Sequence, residues 1–128
     1  MKESQFQSKF NKWLELNWNP KVSARFELKF VDLSKKKTLN FKGSLPDHQV
    51  RALKAKRHIF KIPDAGYQNP YDCYHITGPA YLVVQFWKPR VKHFYIIEIQ
   101  EILQLLENGE KSLNEEYCTF IGAKHELL

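Results

Sequence analysis

An α/β (α+β) fold is predicted for this chain of 128 residues from three observations. Phe6, Phe10, Trp13 and Leu14 recur at helical spacing. Arg25-Phe26-Glu27-Leu28-Lys29-Phe30 alternates apolar with charged, the period-two mark of a half-exposed strand. Tyr81 to Trp87 is almost wholly apolar, as a central strand buried on both faces would be. At this length the chain is read as one domain, 1–128, able to bury a core without disulfides or metals.

The composition bounds the partners. Hydrophobic residues make up 43% and charged residues 27%, ordinary for a globular domain. Twenty Lys and Arg against 14 Asp and Glu leave a net charge of +6, which favours polyanions, nucleic acid first and an anionic membrane surface second. Cys73 and Cys118 make no disulfide framework, and no Cys/His run has zinc-site spacing. No secretory leader and no apolar run of about 20 residues is present, so a soluble, cytoplasmic protein is expected.

In chain order, Ser4-Gln5-Phe6-Gln7 has the form of a capping box opening a helix over 5–17, which Trp18-Asn19-Pro20 ends. Glu15 is the acid in the body of this helix and a candidate to approach a site on the sheet. A strand over 23–32 and a lysine-rich turn at 34–37 follow; Thr38 to Phe41 reads as a short strand pairing back, broken by Gly43. Ser44-Leu45-Pro46-Asp47 reads as a second helix cap, opening a basic helix over 46–57. His58 to Ile62 and Tyr71 to Ile76 are expected strands flanking the turn-forming run 63–70. Phe94 to Ile99 would be the hairpin partner of the central strand, with a helix over 99–106 ended by Asn108-Gly109. Leu113 to Gly122 alternates as an edge strand would, and the last residues read as frayed.

The strand at 25–30 carries the chemistry. Alternation puts Phe26, Leu28 and Phe30 on one face and Arg25, Glu27 and Lys29 on the other. A carboxylate there can hold a hard divalent cation, and an ammonium two residues on can steady an attacking hydroxide or a developing phosphorane. Any half-exposed strand also shows such alternation, so the tripeptide alone is a weak signal. Its company is more specific. Phe26-Glu27-Leu28-Lys29, then Phe41-x-x-Ser44-Leu45-x-x-His48-Gln49-x-x-Ala52-Leu53, then the apolar run Tyr81 to Phe86, together resemble the PD-(D/E)xK nuclease superfamily. Within it the likeness is to Holliday junction resolvases of the archaeal and RecU type, over roughly residues 22–100.

That resemblance implies a restriction-endonuclease-like core, a central mixed β-sheet flanked by helices. It implies Mg²⁺ (or Mn²⁺) held by Glu27, an aspartate and the Leu28 backbone carbonyl, with Lys29 orienting the nucleophilic water and Gln49 positioning Lys29 or a water. The expected products are a 5′-phosphate and a 3′-hydroxyl. The family's aspartate normally precedes the acid-x-lysine strand, but no Asp lies between Asn19 and Ala24. Asp72, in a strand context, is therefore preferred over Asp64, which sits among turn formers. Gln85-Phe86-Trp87-Lys88 is discounted as a second acid-x-lysine equivalent, since its spacing would send Gln85 and Lys88 to opposite faces. A four-way DNA junction has two symmetric strands to cut, which suggests a homodimer. Lys35, Lys36, Lys37, Lys42, His48, Arg51, Lys54, Arg57, Lys88, Arg90 and Lys92 are the expected phosphate contacts. His58, His75 and His93 are expected to make local hydrogen bonds, and Cys73 to be a small core residue.

Overall fold

The computed structural model describes residues 3–18, 24–55, 57–63 and 71–127, with the backbone alone at 52, 55, 57–63 and 71–77. Helix α1 (Glu3–Asn17) leads into strand β1 (Arg25–Asp32), then β2 (Thr38–Asn40), α2 (Phe41–Ser44) and α3 (Asp47–Ala55). Strands β3 (Arg57–Pro63), β4 (Tyr71–Thr77), β5 (Ala80–Trp87) and β6 (His93–Glu98) follow, then α4 (Ile99–Glu107), β7 (Ser112–Asn114), α5 (Glu115–Ile121) and β8 (Ala123–Glu126). The fold is α+β, built on a mixed four-stranded sheet in the order β1-β5-β6-β8. β1 runs parallel to β5, and the other neighbours are antiparallel. No helix among the described residues is long and apolar enough to cross a membrane.

The sheet is covered on both faces because β5 is apolar on both. Val83 turns toward α1, whose Phe6, Phe10 and Trp13 form one buried stripe with Phe94. Phe26, Leu28 and Phe30 pack on the same side, and the Phe10 and Phe26 rings meet edge to face at 5.4 Å. Leu82, Val84 and Phe86 turn the other way, into a core shared with Val31, Leu53 of α3, Ile102 of α4 and Cys118 of α5. The alternation of β1 therefore sets Phe26, Leu28 and Phe30 under α1 and leaves Glu27 and Lys29 on the α3 side with Val31.

Several boundaries depart from the sequence reading. Ser4 lies inside α1, which is already helical at Glu3. Thr38–Asn40 pairs with β7, far along the chain, and not back on β1. Asn40 then caps a one-turn helix, its Oδ1 accepting from the Lys42 amide at 3.0 Å, so Gly43 sits within α2 and breaks no strand. The Pro46 carbonyl, not the Ser44 side chain, receives the first α3 amides, from Gln49 at 2.9 Å and Val50 at 3.2 Å. That helix ends at Ala55, so Arg57 opens β3 and does not extend a basic helix face.

The expected edge strand over 113–122 is a short strand and a helix. Asn114 Oδ1 accepts from the Tyr117 amide at 2.8 Å, and the N-cap starts α5 where alternation suggested extension. The expected frayed end is β8, paired to β6, with Leu127 buried behind it. Gly122 allows that close return: a Cβ there would stand 2.9 Å from Ile97 Cγ1 and 3.1 Å from the Cys118 carbonyl. As expected, β6 is the hairpin partner of β5, and α4 ends at Asn108 with Gly109 in the left-handed region at φ 81°.

Candidate active site

Glu27 and Lys29 point to the same face of β1, opposite Leu82 and Val84 of β5. Leu82 and Val84 are fully buried, so both charged groups rise from an apolar floor and stay only 19% and 15% exposed. Lys29 Nζ lies 3.6 Å from Glu27 Oε1. It also donates to Gln49 Oε1 at 3.0 Å. Gln49 is brought there by α3: Leu53, one helical turn on, is buried in the core beneath, and residues four apart share a helix face. One ammonium donor is thereby committed to Gln49, and the Glu27 carboxylate holds the same group by charge at the longer distance.

Lys29 and Gln49 open into a cavity of about 420 Å³ that also takes in Glu3, Lys36, Gly43 and Ser44. Glu3 was not singled out in the sequence, where it is one acid at the start of a helix. The signal that could have found it is periodic: Phe6 and Phe10 bury the α1 stripe, and Glu3 lies one turn before Phe6 on that same side. Glu15 is not at this site. It lines a separate cavity with Lys9, Lys12 and Leu16, about 18 Å farther along α1. A larger cavity, about 690 Å³, lies between Phe41, Leu45, Val50 and Leu106, and it holds neither Glu27 nor Lys29.

Asp72 falls on β4, which pairs with β3 in a separate two-stranded ribbon, Ile62 opposite Asp72. No ladder joins that ribbon to β1 among the described residues. The side chain of Asp72, and those of His58, Cys73 and His75, lie outside the described residues, as does Asp64. No three His, Cys, Asp or Glu side chains among the described residues form a metal-holding group. Mg²⁺ keeps several waters and takes one or two carboxylates with substrate phosphate, so Glu27, the Leu28 carbonyl and one further acid would suit it.

The basic residues are distributed as follows. Lys35 and Lys37 are exposed at the turn after β1, beside Lys36 at the cavity mouth. Lys42, His48, Arg51 and Lys54 are exposed on α2 and α3. Lys88, Arg90 and Lys92 are exposed between β5 and β6, where Arg90 takes φ 75°, the position glycine usually fills in a type II turn after proline. The discounted Gln85 is fully buried, its amide reaching the His93 carbonyl at 3.4 Å.

A second polar cluster lies on β6 and α5. Glu115 Oε2 sits 2.6 Å from His93 Nε2 and accepts from the Tyr95 hydroxyl at 2.9 Å. Burial, and then the Glu115 carboxylate, raise the Tyr95 phenol above its usual range, and the same two causes push the Cys118 thiol up to about 12. A thiol held neutral in this way is a packing group and not a nucleophile.

Comparison of the chain with protein-family models, with curated proteins and with solved structures found no match. The chemistry of the site therefore rests on its own residues.

Proposed function

We propose that this chain is a Mg²⁺-dependent DNA endonuclease of the PD-(D/E)xK kind, with a restriction-endonuclease-like core and four-way junctions as its preferred substrate. The observation that carries the reading is the convergence of Glu27 and Gln49, contributed by two elements, on the half-buried ammonium of Lys29, with Lys29 and Gln49 lining a polar opening. An accidental surface pair needs no third partner and no burial.

Glu27 and the Leu28 carbonyl would hold the metal, with Asp72 completing the set. When bound, Mg²⁺ lowers the pKa of a water and offsets the charge on the scissile phosphate. Lys29, aimed by Gln49 and Glu27, holds the nucleophile in line and stabilises charge developing on phosphorus. Glu3, which also lines the cavity, can accept a proton or orient a water. Lys36 and the neighbouring lysines hold the backbone through phosphate contacts that carry no sequence information.

The test is cleavage of a synthetic four-way junction against linear and flap DNA, with Mg²⁺ and with Ca²⁺. The parent protein should cut the junction in Mg²⁺, and Glu27→Ala should bind it in Ca²⁺ without cutting in Mg²⁺. Equal cutting by parent and Glu27→Ala defeats the catalytic reading, and binding without any cutting by the parent leaves a basic nucleic-acid-binding module.

A further inference from the structure

We propose that two copies of this chain join edge to edge through β8, in a register that its backbone and its charges select together. β8 is the outer strand of the four-stranded sheet, and among the described residues no ladder covers its far edge. The Leu127 amide donates to the Lys92 carbonyl at 2.8 Å. In the register that pairs His93 with Glu126 and Phe94 with His125, this makes Ala123, His125 and Leu127 the residues whose amides and carbonyls turn inward to β6. Lys124 and Glu126 turn theirs outward.

A second β8, running antiparallel and centred on these residues, must match outward groups with outward groups. It can set Lys124 against Lys124, Glu126 against Glu126, or Lys124 against Glu126. Like charges directly opposite destabilise a sheet, and opposite charges stabilise it. The third register places both lysine–glutamate pairs in contact at once, because the two-fold symmetry repeats each contact. Charged edge strands usually discourage pairing. This one is complementary to its own copy.

The surface beside the edge supports the same occupant. Lys124 stands opposite Tyr95 and Glu126 opposite His93, and Glu115 of α5 bonds both of those partners, so α5 covers the face these charges share. On α5, Phe120 is 81% exposed and Tyr117 44% exposed. Because α5 lies on that face in both copies, the two-fold sets the two α5 helices on one side of the joined sheet, each carrying these two exposed rings.

The assembly has a consequence that rests on the nuclease reading, although the dimer itself does not. The local two-fold of antiparallel pairing is perpendicular to the sheet, so both copies turn their Glu27–Lys29 face to the same side. The two β1 strands end at opposite edges of an eight-stranded sheet, seven strand spacings or about 34 Å apart. That interval is close to one turn of duplex DNA, about 34–36 Å.

The experiment is sedimentation equilibrium of the full chain, with circular dichroism to monitor folding, comparing the parent with Lys124→Glu, Glu126→Lys and the double exchange. The side chains of Lys124 and Glu126 are exposed, so the variants keep the fold. The parent should be dimeric, each single reversal should weaken the dimer by about tenfold or more, and the double exchange should restore it. A monomeric parent, a dimer indifferent to both single reversals, or a double exchange no tighter than the singles overturns the proposal. Mass is the readout, so a failed cleavage assay leaves this result standing, and a failed dimer leaves the cleavage test standing.

Discussion

Lys29 Nζ and Gln49 Oε1 are separated by twenty residues of sequence and 3.0 Å of space. The amide oxygen fixes the ammonium without neutralising it, which a second carboxylate would do. Lys29→Met should lower the cleavage rate by about 10²-fold or more, the scale on which loss of a preorganised charge acts. Gln49→Leu should lower kcat by about tenfold with KM unchanged, because the residue aims Lys29 and touches no phosphate; Gln49→Glu, which keeps an acceptor oxygen, should recover part of the loss. A Gln49→Leu protein with weakened junction binding and normal kcat would assign Gln49 to the DNA surface instead.

On the nuclease reading three acids remain to be ranked as partners of Glu27. Asp72→Asn should abolish cutting at ordinary Mg²⁺ and raise the Mg²⁺ needed for any residual rate, as removal of the proposed ligand and its charge would do. Glu3→Gln should slow cutting by about tenfold while leaving the Mg²⁺ requirement unchanged, as suits a group acting on protons or water. Asp64→Asn should cut as the parent does. A Mg²⁺ titration of the three variants separates these roles, and a normal Asp72→Asn together with an inactive Asp64→Asn reverses the assignment.

The parts of this molecule legible in the sequence are those with strong periodicity. Phe6, Phe10 and Trp13, the alternation at 25–30 and the apolar run at 81–87 each mark an element the structure contains. Gln49 was legible as company for Lys29 only through the resemblance of the run Phe41 to Leu53 to a nuclease family's helix, and the structure brings the two side chains to 3.0 Å. The 113–122 segment was misread because its apolar residues alternate, whereas the side it buries is the pair Cys118 and Ile121 at a helical spacing of three, started by the Asn114 cap. Pairing of Thr38–Asn40 with Ser112–Asn114 could not be read at all, since three-residue strands carry no register signal. Glu3 was missed for a related reason: a helix's polar face does not say which of its acids overlooks a cavity made by other elements.

His125 gives the fold a pH dependence with a definite sign. Its ring packs against Trp13 at 4.9 Å and Phe94 at 5.8 Å, and burial lowers its pKa from 6.5. The unfolded chain therefore binds the proton more readily than the folded one. The stabilising contribution is fully present above about pH 6.5 and is lost as the pH falls toward the folded-state value. Urea denaturation at pH 7.5 and pH 5 should show a smaller acid loss for His125→Phe than for the parent. Equal losses would place the acid sensitivity elsewhere.

Glu115 ties α5 to β6 through one carboxylate oxygen shared by His93 and Tyr95. Tyr95 is 1% exposed, so Glu115→Ala leaves a buried hydroxyl without this acceptor and should cost about 1–3 kcal/mol. Tyr95→Phe removes the donor and leaves Glu115, about a third exposed, to His93 and water, and should cost about 1 kcal/mol or less. In the double variant there is no hydroxyl left to strand, so its loss should fall short of the summed single losses by about 1 kcal/mol. The measurement is urea unfolding of all four proteins at one pH above 7. Additive losses would mean that the 2.9 Å contact carries no coupling energy and that α5 is held by its other contacts, the packing of Cys118 and Ile121 among them.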